Sequence, residues 1–284
     1  MMLKNEVLQR KAKTFHDLHF GESLLILPNI WDPLGAAMLE ELGYPAIATA
    51  SASIAYTHGL PDGENIRFSE LISLLTKITL SVNIPVTADI ESGYANNREE
   101  LQENIALVIK AGIIGINIED YDLISRKLFP IDVHCKRLRI VRRTAEAMGV
   151  PLFINARTDV YVKGTEWKTD EEKWEETARR GKAYLEAGAD GFYPITLSDK
   201  NDITRLVAEI PGPVNILAHQ GIPDIKTLKE IGVARLSLGP GFLKKAILAM
   251  KQTAIELKNG EGLSAVTDNE ISSDYLKKLV THSW

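Results

Sequence analysis

Apolar positions along the chain follow two alternating rhythms. Short continuous apolar runs, such as LLILPN from Leu24, are separated by segments in which apolar residues recur every three or four positions, as from Glu99 to Lys110 and from Lys173 to Glu186. The first rhythm predicts buried strands and the second predicts amphipathic helices. One junction repeats. A helix-like stretch ends on glycine and runs straight into a strand in LEELGYPAIAT (39–49), VIKAGIIGINIE (108–119), YLEAGADGFYP (184–194) and LKEIGVARLSLG (228–239). Gly43, Gly112, Gly188 and Gly232 thus stand where a left-handed residue closes a helix.

Further strands are announced by proline followed by β-branched or aromatic residues: IPVTADI from Ile84, VPLFINART from Val150 and GPVNILAH from Gly212. Together these give eight strands, near residues 24, 46, 85, 114, 152, 190, 214 and 234, with helices between them. That count predicts one α/β domain, a closed (β/α)8 TIM-type barrel over residues 24–258, with an open doubly wound sheet as the alternative. Asn5 to Phe15 predicts a leading helix within residues 1–20, and Asp268 to Trp284 a short helix in a C-terminal extension, 259–284. Both are expected to pack rather than react.

Composition narrows the class. A chain of 284 residues with 45% hydrophobic and 25% charged residues can bury a full core. The formal charge of −5, with Lys and Arg dispersed, argues against a nucleic-acid partner. Cys135 is the single cysteine, so no disulfide framework is available. The amino terminus carries charges every few residues in place of a signal's apolar core, and no run approaches the roughly 18 residues of a membrane span. A soluble, cytoplasmic protein with no membrane partner is expected.

Barrel enzymes carry their chemistry at the carboxyl ends of the strands. Those ends offer Asn29 and Asp32, Ser51, Asp89 and Glu91, Glu119 and Asp120, Arg157 and Asp159, Thr196, and His219. Residues two apart in a strand share a face, so Asp89 and Glu91 are expected to point into the mouth beside Glu119. Three carboxylates there call for neutralisation, and oxygen ligands point to Mg²⁺, with Mn²⁺ possible in its place. Arg157 is the lone cation of the set; it suits a substrate carboxylate or phosphonate, or an internal pair with Glu119 or Asp159. No strand-end lysine supports a Schiff base, and no paired histidines support zinc. The SLGPGF turn from Ser237 reads as barrel closure, and Cys135 as a packed thiol.

In order along the chain, LPNIWDPLGAAMLEELGYPAIATASASIA, GLPDGE, VTADIESGY, GINIED, FINARTD and VARLSLGP resemble the isocitrate lyase and phosphoenolpyruvate mutase superfamily. The resemblance implies a (β/α)8 barrel whose last helix is exchanged between subunits, giving a homodimer or homotetramer. It implies Asp89, Glu91 and Glu119 around Mg²⁺, with Glu91 where aspartate is commoner. Asp62 corresponds to a loop aspartate near metal and substrate, Ser51 and the backbone of Ala52 to substrate-carboxylate contacts, and Arg157 to the arginine holding the 2-oxo acid. The implied chemistry breaks a C–C or P–C bond next to a 2-oxo carboxylate through an enolate.

Departures sharpen the expectation. The cysteine loop of isocitrate and methylisocitrate lyases is absent from EDYDLISRKLFPIDVHCKRLRIV, and Ile195 stands where those lyases carry glutamate. His219 and His58 are candidate acids or bases, as are Tyr56, Tyr94 and Tyr121, and Tyr121 to Phe129 is the expected lid. The sequence therefore points to the phosphoenolpyruvate mutase-like branch, acting on a small 2-oxo acid or phosphonate. Its rivals are a methylisocitrate lyase with another general acid and a non-catalytic carboxylate binder.

Overall fold

The computed structural model describes residues 2–268 and 270–281, with side chains from residue 5 onward. Its strands are β1 (Leu25–Leu27), β2 (Asn29–Ile30), β3 (Ile47–Thr49), β4 (Val86–Asp89), β5 (Gly115–Glu119), β6 (Tyr121–Asp122), β7 (Lys127–Leu128), β8 (Phe153–Thr158), β9 (Gly191–Pro194), β10 (Asn215–Leu217) and β11 (Arg235–Ser237). The helices are α1 (Met2–His19), α2 (Pro33–Glu41), α3 (Ser51–Thr57), α4 (Phe68–Leu80), α5 (Arg98–Lys110), α6 (Ile131–Ala147), α7 (Val160–Lys163), α8 (Asp170–Glu186), α9 (Lys200–Glu209), α10 (Ile225–Ile231), α11 (Gly241–Lys258), α12 (Leu263–Thr267) and α13 (Ser273–Thr281).

The barrel closes through its first strand, which Pro28 divides. β1 pairs with β11, while β2 pairs with β3 in the run β2-β3-β4-β5-β8-β9. A bridge from Phe192 to Val214 joins β9 to β10 and completes the ring. All these pairings are parallel, as the predicted barrel requires. The helices obey the rhythm that predicted them. In α5, Leu101, Ile105, Val108 and Ile109 are buried on one stripe, and the Asn97 side chain accepts from the Glu100 amide to cap the start. Gly43, Gly112, Gly188 and Gly232 all adopt the left-handed conformation expected of them.

Polar side chains line the inside of the barrel. Asn117 on β5 accepts hydrogen bonds from Asn155 Nδ2 on β8 (2.8 Å) and from Arg235 Nη2 on β11 (3.3 Å). Since β5 and β11 are not neighbours, those side chains meet across the interior, and alternation then turns Glu119 and Arg157 inward as well. Helix α1 is longer than the predicted leading helix and closes the far end. Its Phe15 is fully buried, and His19 stacks on Phe153 with ring centroids 4.1 Å apart. Gly115 is needed there, because a Cβ would stand 2.9 Å from both Phe15 and Thr87.

At the other end of the chain, α11 buries Leu243 alone and leaves Ile247, Met250 and Ile255 exposed. The predicted tail helix forms only over α13, which packs on α2 through Lys278 and Glu41 (2.7 Å). The rest of that prediction is non-helical at 268 and 270–272 or, at 269 and 282–284, outside the described residues, and a short helix that was not expected, α12, precedes it. Among the described residues no helix is long and apolar enough to cross a membrane.

Candidate active site

Asp89 is the last residue of β4 and sits deep in the mouth while keeping some access to solvent. Its Oδ2 accepts from Ser51 Oγ at 3.1 Å, its Oδ1 from the Glu91 amide at 3.3 Å, and its own amide donates to Thr49 Oγ1 at 3.2 Å. Glu91 does not continue the strand. β4 stops at Asp89, and Glu91 lies in the following turn with φ 51°, so the shared-face argument fails for it. The side chain turns to the loop after α3 instead. Oε2 accepts from the Glu64 amide at 2.6 Å and Oε1 from the Tyr94 hydroxyl at 3.1 Å. Glu64 answers by accepting from Ser92 Oγ (2.7 Å) and the Tyr94 amide (2.8 Å). Glu64, Glu91 and Tyr94 all hold positive φ, a concentration of strained backbone that marks functional loops. This clasp fastens the loop that carries Asp62.

Glu119 ends β5, and its register partner on β8 is Arg157. Arg157 Nη1 lies 2.9 Å from Glu119 Oε2, while Nε and Nη2 donate to the two oxygens of Asp159 at 2.7 and 3.0 Å. Both internal pairs considered for Arg157 are therefore formed. Burial opposes its charge, but Asp159, Glu119 and Asp89 outweigh that and hold it above the ordinary arginine range.

The acids pay the opposite way. Burial raises Asp89, with Arg157 offsetting and Asp62 adding to the rise. Burial, then Asp62 and Asp89, pushes Glu91 up to about 8. Burial also lifts Glu119 well above its usual range despite Arg157, with Asp159, Asp89 and Glu91 adding repulsion. The mouth is under-neutralised.

Asp120, one residue on, has a different environment. Its Oδ2 accepts from Thr158 Oγ1 (2.7 Å), Arg180 Nη1 (2.9 Å) and the Tyr184 hydroxyl (2.6 Å), and its Oδ1 from the Asp159 amide (3.0 Å). Arg180 is held in turn by Glu176 at 2.7 Å. This fully buried network ties α8 to the strand ends and leaves Asp120 no part in binding.

The other expected residues are dispersed. Asp62 is exposed, and its charge reaches Asp89 and Glu91. Ser51 and Ala52 open α3. His219 follows β10; its Nδ1 donates to the Gln220 carbonyl at 2.8 Å, leaving Nε2 without a protein partner. His58 caps α3 through Ile54 O, and Tyr56 is exposed. The expected lid is a short hairpin of β6 and β7, with Lys163 over the Tyr121 ring. Cys135 is buried on α6 and donates to the Ala183 carbonyl.

Two inward residues escaped the sequence reading. Tyr193, on β9, is the register partner of Arg157. Arg235, on β11, is fully buried with Nη1 unpartnered, and burial lowers it to about 10.

Among the described residues no three Asp, Glu, His or Cys side chains close around one point as a finished metal cage. The donors nonetheless fit a hard cation. They are oxygens only, they are charged and poorly compensated, and Asp89 keeps lone pairs free toward the mouth. Mg²⁺ commonly takes one or two carboxylates and completes its shell with water.

The phosphoenolpyruvate phosphomutase family profile matches residues 15–258. An uncharacterized protein of Mycobacterium tuberculosis, Rv1998c, is 33% identical over 251 residues, covering 88% of this chain and 91% of its own. Oxaloacetate decarboxylase of Pseudomonas fluorescens SBW25 is 26% identical, over 90% of this chain and 87% of its own. A crystal structure from Burkholderia cenocepacia J2315, whose name suggests a phosphonomutase, superposes with TM-score 0.82 at 36% identity, covering 89% of this chain and 99% of that one. Phosphonopyruvate hydrolase, solved with oxalate and Mg²⁺, shares the fold at TM-score 0.82 and 20% identity over 95% of this chain and 94% of that one. The breadth of these matches, on a closed barrel with acids gathered at the strand ends, makes the chain a member of the phosphoenolpyruvate phosphomutase family, whose members are lyases and phosphomutases.

Proposed function

We propose that this enzyme uses Mg²⁺, or Mn²⁺ in its place, to break or rearrange a C–C or P–C bond of a small 2-oxo acid or phosphonate through an enolpyruvate-type intermediate. The observation that carries the reading is the under-neutralised acid group at the mouth, Asp89, Glu91 and Glu119 with Asp62 nearby, set beside Arg157. Asp89 is the best-placed metal ligand, with Glu91 and Glu119 acting through water. The ion, when bound, supplies a Lewis acid for the oxygen that becomes negative as the bond at C3 breaks.

The chain's own groups do the rest. Arg157 offers its remaining N–H groups to the substrate carboxylate, Ser51 orients Asp89 and opens the α3 amino terminus beside it, and the Asp62 loop is fastened over the mouth by Glu91. His219, with Nε2 bare, is the candidate proton carrier. Ile195 and the buried, outward Cys135 favour this reading over cleavage of a tricarboxylate.

Calorimetric titration with Mg²⁺ and oxalate, followed by turnover assays on oxaloacetate, phosphonopyruvate and methylisocitrate, tests the proposal. Mg²⁺-dependent oxalate binding is expected, lost in Asp89→Asn, together with turnover of one or more of the first two compounds. Binding without turnover on the panel would favour the non-catalytic rival. We infer in addition that copies associate through the exposed apolar residues of α11, which sedimentation equilibrium measures; a monomer throughout would overturn it.

A further inference from the structure

Tyr193 lines the mouth. The residue is 3% exposed, its hydroxyl makes no hydrogen bond to another described residue, and that hydroxyl is not among the fully enclosed unpartnered atoms, so it opens toward the mouth. Buried tyrosines normally place that hydroxyl against a partner. Tyr184, the other deeply buried tyrosine at these strand ends, does so with Asp120 and Arg180.

The direction of the Tyr193 ring follows from register. Arg157 pairs with Tyr193 as Asn155 pairs with Gly191, and a Cβ on Gly191 would meet Asn155 Oδ1 at 3.2 Å inside the barrel. Tyr193, two residues on, faces the same interior as Arg157. The charges of Arg157, Asp89 and Arg235 all reach its ring. In the order β4-β5-β8-β9, Asp89 and Tyr193 flank the Glu119–Arg157 pair on either side.

Resting on the function proposed above, we propose that the Tyr193 hydroxyl is a substrate-binding donor, kept for an oxygen of the bound 2-oxo acid or phosphonate. The mouth is rich in acceptors and short of donors. Each of the three Arg157 nitrogens has one N–H engaged by Glu119 or Asp159, which leaves two for a substrate carboxylate, and Ser51 donates to Asp89. A dianionic substrate needs N–H or O–H groups that the protein has not already used, and Tyr193 presents one. Burial first, and the nearby Asp89, keep the phenol protonated, so it is a donor at every working pH.

Tyr193→Phe removes the hydroxyl and keeps the ring. Calorimetry with Mg²⁺ alone, with Mg²⁺ and oxalate, and with Mg²⁺ and sulfopyruvate separates the roles. Oxalate mimics the C1–C2 end of a 2-oxo acid, and sulfopyruvate adds an oxyanion on C3 that cannot transfer a phosphoryl group. The variant is expected to bind at least one of the two anions roughly tenfold or more weaker, as loss of a hydrogen bond to a charged group predicts. Mg²⁺ affinity and thermal midpoint should stay as in wild type. Unchanged affinity for both anions overturns the proposal, and so does a loss of Mg²⁺ affinity that accounts for the whole effect. If the wild-type enzyme binds neither anion with Mg²⁺, it is the enolate reading itself that fails.

Discussion

Glu119 and Asp120 are adjacent acids at the end of one strand, and they lead opposite lives. Glu119 turns into the barrel mouth, where Arg157 is shared with Asp159 and other carboxylates crowd in. Asp120 turns outward between strands and helix, where a hydroxyl, a guanidinium, a phenol and an amide satisfy its oxygens. Both are buried; as a sequence, both are acids at a strand end, and only Glu119 is expected among the metal-facing group. The difference shows that burial of charge does not mark a binding group; incomplete satisfaction does. Asp120 has spent its lone pairs on structure, whereas the mouth acids keep theirs for a ligand.

The strongest way to break this comparison is to remove each carboxylate. Asp120→Ala strands Arg180 and Tyr184 in the interior, and stability should fall by about 3–5 kcal/mol in equilibrium urea unfolding. Glu119→Gln removes a charge that its surroundings already disfavour, so its loss should be much smaller. Equal losses would mean that the two acids are alike and that the mouth is a structural network too.

A second effect separates the regions by pH. Glu91 is pushed up to about 8 by burial, Asp62 and Asp89, from an ordinary value of 4.5. Between those values the unfolded chain has released this proton and the folded one retains it, so the folded state binds more protons and stability falls as pH rises. The slope is at most about 1.4 kcal/mol per pH unit for one such group, and it vanishes below 4.5 and above 8. Saturating Mg²⁺ should flatten the slope, because a cation favours the ionised carboxylates. Metal-free unfolding free energies measured from pH 5 to 8 check this, and a flat profile without metal would show that the mouth is not electrostatically frustrated.

What the chain discloses in advance follows from the range of the forces involved. The four capping glycines and the strand runs are local, and they came out as read. Asp89 was placed correctly because β4 reaches it; Glu91 was not, because nothing in ADIESGY says that the strand stops two residues early. Arg157 was read with both of its eventual partners, which lie on its own strand end and the adjacent one. The Asp120 network joins residues 120, 158, 176, 180 and 184. On α8 its members Glu176, Arg180 and Tyr184 follow each other at four-residue spacing, a stripe that looks solvent-facing until the helix is docked. Tyr193 gave no signal either, since an aromatic residue within an apolar strand reads as core.

The smallest expected effect concerns the length of one side chain. Glu91 spans from its turn to the Glu64 amide and the Tyr94 hydroxyl together, and an aspartate, one methylene shorter, cannot hold both from the same backbone. Glu91→Asp should therefore loosen the clasp over the Asp62 loop with a global cost of about 1 kcal/mol, the worth of a single hydrogen bond. The change should be concentrated in hydrogen exchange at the Glu64 amide, with the Asp120 network as protected as before. Should protection at Glu64 survive, the longer arm is not what holds the loop, and the clasp rests instead on the bonds that Glu64 itself accepts from Ser92 Oγ and the Tyr94 amide.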